Sequence, residues 1–125
     1  MSKITHCEVI IKDDFNNVLI IQKKVKKTEP KLWSIVGKSM RAKESPEQCA
    51  NRILEKELNV VGFDITKFKE YSLDEENDKV VFSTVLKERM SCHSSISNWK
   101  WISLRELENY EFSSNHKEIL KDFWN

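Results

Sequence analysis

Residues suited to chemistry gather between Leu32 and Val60, where the chain reads LWSIVGKSMRAKESPEQCANRILEKELNV. Lys38 follows Gly37, Glu44 precedes a helical pattern, and Arg52, Lys56 and Glu57 fall within it. Lys38 and Lys56 carry compact ammonium groups able to bind phosphate directly, and Gly37 offers a backbone freedom denied to other residues. Lys23, Lys24, Lys26, Lys27 and Lys31 crowd the preceding segment, with Arg41 and Lys43 soon after Lys38. These lysines read either as a solvated strand end or as a positive rim that draws an anion toward the Gly37 loop.

The elements that must hold these residues follow from local pattern. A helix opens at Ser45, with Pro46 at its first position and Gln48 completing a capping box. Cys49, Ala50, Ile53, Leu54 and Leu58 recur on its buried face, and Asn59 suits its C-terminal cap. Ile4–Lys12 and Val18–Val25 read as a hairpin around the turn Asp13–Asn17. Lys31–Val36 reads as a third strand that Gly37 ends. Ile65–Leu73 and Lys79–Glu88 are two more strands, joined by the acidic turn Asp74–Asp78, and Arg89–Ser97 reads as a loop. Trp99–Ile102 is a short strand, and Ser103 with Glu106 caps a short helix. Asn115 caps a last helix, His116–Trp124. Trp33, Trp99 and Trp101 are expected to be core or half-buried residues rather than base-stacking platforms.

The chain has 125 residues, 39% hydrophobic and 33% charged, which fits one domain over 1–125 with one packed core. Its net charge of +1 argues against a dedicated nucleic-acid binder. No apolar run approaches the ~20 residues of a membrane helix, and no signal peptide is seen, so the expectation is a cytoplasmic protein without membrane association. Cys7, Cys49 and Cys92 are odd in number and widely spaced, which suits reduced thiols. His6–Cys7 and Cys92–His93 lack the spacing of a metal finger.

The Leu32–Val60 segment resembles the Nudix box, whose pattern is G-x5-E-x7-R-E-U-x-E-E-x-G-U with U a bulky aliphatic. Glu44, Arg52, Leu54, Glu57 and Val60 fall on matching positions, and Gly37 on the extra glycine that commonly precedes the box. Lys38, Ile53, Lys56 and Asn59 depart from it. The LW lead-in, the ESPEQCA run and the late WKWISLREL segment extend the resemblance over nearly the whole chain. It implies an α/β fold, a mixed β-sheet sandwiched between α-helices. It also implies cleavage of a pyrophosphate bond in a nucleoside diphosphate linked to another group.

In that family, helix carboxylates hold Mg2+ or Mn2+ against the pyrophosphate and activate a water. Residues 53, 56 and 57 share a helical face by spacing, yet here they are Ile53, Lys56 and Glu57. An isoleucine cannot ligate, and a lysine brings its own cation. Glu57 remains as the metal ligand and catalytic carboxylate, supported by Glu44 and oriented by Arg52, with metal binding expected to be weak or absent. The segment Ile96–Trp99 offers no further acid. One reading is therefore a hydrolase of weakened or lost activity. The alternative is a non-catalytic module that binds a nucleotide or other phosphorylated small molecule through Lys38, Lys56 and the Gly37 loop. A third reading is a protein-interaction domain. The resemblance is compatible with a monomer or a homodimer.

Overall fold

Strand β1 (Lys3–Lys12) carries apolar side chains on both faces, so the sheet built around it must be covered twice. Cys7, Val9 and Ile11 join one core cluster, and Ile10 joins another. The computed structural model describes residues 3–86 and 88–125, with Phe63 as backbone alone. Its further elements are β2 (Val18–Lys23), β3 (Val36–Ser39), α1 (Pro46–Leu58), β4 (Phe63–Ser72), β5 (Asn77–Val85), β6 (Ile96–Ile102), a 3-10 turn (Leu104–Asn109) and α2 (His116–Trp124). Helix α1 covers the Cys7 face and α2 the Ile10 face, which gives the expected mixed sheet between helices.

The sheet runs β4-β5-β1-β2-β6, with β3 paired to β1 off this path. The contact of β1 with β5 is parallel, and the other pairings are antiparallel. β1 and β2 meet in register only at Lys12 and Val18, beside the turn. The expected hairpin therefore opens at once. β3 takes the vacated edge of β1, and β2 pairs instead with β6.

Several expected boundaries shift for the same non-local reason. The third strand lies at Val36–Ser39, because Val36 to Ser39 pair with Val9 to His6, while Trp33 and Ser34 make only isolated bridges. β6 begins at Ile96 rather than Trp99, drawn out by pairing with β2. β5 covers Asn77–Val85, and Lys87 of the expected strand lies outside the described residues, as do Met1 and Ser2 of the expected domain. The helix boundaries fall where the pattern puts them, but only α1 is closed by its expected cap: the Asn115 side chain makes no cap bond to α2 and accepts from Lys79 instead.

Gly37 is in the strand, not at its end, and no glycine has positive φ. Its smallness serves a close approach. A Cβ there would lie 2.7 Å from Glu8 Cγ and 2.8 Å from the Cys7 carbonyl oxygen. Lys38 likewise needs no left-handed backbone, and that conformation falls to Lys43 in the loop (φ 64°). Gly37→Ala should therefore lower stability by about 1–3 kcal/mol through overpacking. Urea unfolding measures this, and an unchanged midpoint would remove the steric account.

Candidate functional site

Helix α1 is fixed at both ends by its own residues. The Gln48 N–H donates to Ser45 Oγ at 3.2 Å, and the Ser45 N–H donates to Gln48 Oε1 at 2.9 Å. At the other end Asn59 takes the left-handed conformation (φ 53°), and the Val60 N–H reaches back to the Leu54 carbonyl at 3.1 Å. The inward face holds Cys49, Ala50, Ile53, Leu54 and Leu58, and also one carboxylate, Glu57, only 6% exposed.

Glu57 meets a cation from the neighbouring strand. Lys38 Nζ lies 3.0 Å from Glu57 Oε1, with the lysine side chain 40% exposed. Ser95 Oγ donates to Glu57 Oε2 at 3.4 Å, and the His93 N–H donates to the Glu57 carbonyl at 2.8 Å. The Ser95 carbonyl in turn accepts from the Lys24 N–H at 2.9 Å, which ties this loop to the end of β2. Lys23, beside it, has surface exposure yet is crowded by neighbouring atoms. That desolvation, with the charge of Lys38 as the next cause, pulls its ammonium pKa below the usual lysine range.

The loop between β3 and α1 is locked separately. Arg52 Nε donates to Glu44 Oε2 at 2.8 Å, and Nη2 donates to Glu44 Oε1 at 3.0 Å. Nη2 also donates to the Ser39 carbonyl at 2.9 Å, and the Arg41 N–H donates to Glu44 Oε1 at 3.0 Å. This planar, two-pronged contact pins the loop to the helix. The Arg52 hydrogen bond, helped by the Arg41 N–H, holds the Glu44 carboxyl down to about 2.

The structure thus brings Lys38 to Glu57 and Arg52 to Glu44, and it separates Lys56 from both pairs. Adjacent helical residues point about 100° apart, so Lys56 leaves the face on which Glu57 lies. Its side chain is 67% exposed, with Nζ 3.8 Å from Glu55 Oε1. Ile53 is fully buried among apolar neighbours. Gly37 is buried in the β1–β3 ladder opposite Glu8, where its lack of a side chain leaves room for Glu8. Lys23 joins the site from the lysine run that reads as a strand end or a positive rim, and His93 from the Cys92–His93 pair, which in sequence suggests only a metal finger and lacks its spacing. Ser95 joins it without any local mark.

The residues present do not fit a resident divalent ion. Mg2+ needs several oxygen ligands around one centre. Glu57 is engaged by Lys38 and Ser95, and both Glu44 oxygens by Arg52. Among the described residues, no group of three or more His, Cys, Asp or Glu side chains is placed to hold a metal.

Residues 6–123 match the family model of the NUDIX domain, and the chain belongs to that family. A MutT structure from Aliivibrio salmonicida or Vibrio cholerae superposes with a TM-score of 0.81 at 20% identity, over 95% of this chain and 94% of that one. The NUDIX domain of Shewanella oneidensis NrtR, complexed with ADP ribose, gives 0.76 at 19% identity over 98% and 87%. MutT from Methanosarcina mazei gives 0.74 at 17% identity over 98% and 93%. These likenesses establish the fold. No curated protein matches the chain. Among the described residues no helix is long and apolar enough to cross a membrane.

The Glu44–Arg52 lock has a pH signature. The folded-state pKa of Glu44 lies near 2, below the ordinary 4.5. A depressed carboxyl stabilises the fold above its unfolded pKa, and that contribution is lost as pH falls through the folded value. Between pH 4.5 and 2 the unfolding midpoint of the native chain should therefore fall more steeply than that of Glu44→Gln. Parallel curves would show that the pair contributes nothing to folding.

Proposed function

We propose that this NUDIX domain binds a phosphorylated nucleotide through Lys38 and Lys23 without a divalent metal, with pyrophosphate hydrolysis weak or lost. The observation that carries this reading is the 3.0 Å contact between Lys38 Nζ and Glu57 Oε1. A buried carboxylate requires a positive partner, and here a tethered ammonium fills that role. Partly exposed, Lys38 keeps further N–H donors for a ligand oxygen. The positive charge of Lys23 adds to the attraction, and Lys56 stays on the outer rim. The same fold in a NUDIX domain complexed with ADP ribose supports a nucleotide-class ligand.

A second reading keeps Glu57 as a weak metal ligand, with Glu44 in support and Arg52 orienting. It is favoured by the 40% exposure of Lys38, which leaves that side chain free to swing aside.

Calorimetry with ADP-ribose separates the two. Binding should persist in EDTA and weaken about tenfold or more in Lys38→Met, the scale of one charge-assisted hydrogen bond. Phosphorus NMR in Mn2+ should detect little or no product. Binding that requires Mn2+, with turnover lost in Glu57→Gln, would establish the weak hydrolase instead.

A further inference from the structure

A groove of about 590 Å³ opens between the segment after β5 and strand β6, lined by Leu86, Glu88, Arg89, Met90, Trp99 and Trp101. It shares no residue with the Lys23–Lys38–Glu57 set. Trp99 and Trp101, two apart on one strand, project from the same face of the sheet. Trp101 packs against the core beneath α1, whereas Trp99 is half-buried, with 50% of its surface exposed.

The wall opposite the indoles is anchored. The Val61 N–H donates to Glu88 Oε1 at 2.8 Å, and the Ser91 N–H donates to the Leu58 carbonyl at 2.9 Å. These bonds tie residues 88–91 to the end of α1, so the groove is held open by fixed structure. Arg89 is exposed, and among the described residues its guanidinium has no hydrogen bond or ion pair. An exposed guanidinium therefore stands at the rim of an aromatic groove.

We propose that this groove is a second ligand site, for a purine nucleoside monophosphate, with the base stacked on Trp99 and the phosphate held by Arg89. The volume falls within the ~300–1,000 Å³ of small-molecule sites. An indole face stacks a nucleobase through its π surface. A guanidinium takes two phosphate oxygens at once. Glu88 Oε2, the oxygen that Val61 leaves open, can accept from an exocyclic amine of the base. A purely apolar ligand would leave Arg89 without a counterpart, and inorganic phosphate would leave the indoles uncovered.

The chain has four tryptophans, Trp33, Trp99, Trp101 and Trp124, and their indole N–H resonances report separately. AMP titrated into the full chain in EDTA should shift Trp99 and Trp101 and leave Trp33 and Trp124 in place. Adenosine should bind more weakly, and inorganic phosphate should leave the indole signals still. Trp99→Leu and Arg89→Gln should each weaken AMP by roughly tenfold or more. Trp99 is exposed enough for the first change to spare the core. Lys38→Met should leave the AMP-induced shifts of Trp99 and Trp101 in place, which keeps this site distinct from the one at Glu57. The proposal is overturned if the AMP shifts vanish in Lys38→Met. It also fails if adenosine binds as tightly as AMP with no effect of Arg89→Gln. Shifts of Trp99 with protein concentration alone, without any response to AMP, would assign the groove to a second copy of the chain and sink the nucleotide proposal.

Discussion

A carboxylate taken out of water needs a positive charge beside it, and that requirement at Glu57 organises the surrounding structure. With only 6% of the residue exposed, Glu57 cannot rely on solvent. Lys38 supplies the charge from β3, which continues through Gly37 in register with β1. That register in turn requires a residue without a side chain opposite Glu8. The Arg52–Glu44 contact then fixes the loop that leads from β3 into α1, so the ammonium and the carboxylate approach from two elements whose relative position is already set. A metal ion in such a place is exchangeable and depends on its concentration. A lysine is present at fixed stoichiometry, and its removal would leave Glu57 with an uncompensated buried charge.

Sequence showed those parts of this arrangement that are decided locally. Ser45, Pro46 and Gln48 announce the start of α1, and Asn59 its end, because caps are made by residues within one turn of each other. The family resemblance implies a sheet between helices, and both faces of β1 and β2 are indeed covered. What stayed hidden depends on pairing across long separations. Whether Val36–Ser39 or Lys31–Val36 forms the strand is decided by β1, some thirty residues earlier (Gly37 pairs with Glu8), and that pairing directs Lys38 at Glu57. The spacing of 53, 56 and 57 put Lys56 on the shared face, but a face only one turn wide has an edge. Lys56 lies beyond it, where solvation of its ammonium wins. Ser95 reaches Glu57 across 38 residues of sequence and carries no local mark. Trp99 reads by its size as core or half-buried, and its place on the edge strand β6 makes it the latter.

The opposite face of the sheet repeats the same physical solution. Glu8 is 2% exposed and Lys79 1% exposed, with Lys79 Nζ 3.2 Å from Glu8 Oε1. His116 Nε2 lies 2.8 Å from Glu8 Oε2, and the Ile35 N–H donates to His116 Nδ1 at 2.8 Å, so the proton facing Glu8 is on Nε2. Lys79 also donates to Asn115 Oδ1 at 2.8 Å, which occupies the side chain that would otherwise cap α2. Burial pushes the Glu8 carboxyl up, but the bond from His116 and the charge of Lys79 outweigh it, and the pKa lies below the usual carboxylate range. The network joins β1, β5, the approach to β3 and the first turn of α2. Glu8 and Glu57, one on each side of the sheet, are thus each held by a lysine from a strand bonded to β1, Lys79 on β5 and Lys38 on β3. The two lysines differ in access. Lys79 is sealed in and can serve only the fold. Lys38 keeps 40% of its side chain in solvent, so of the two it is the one that reaches the surface.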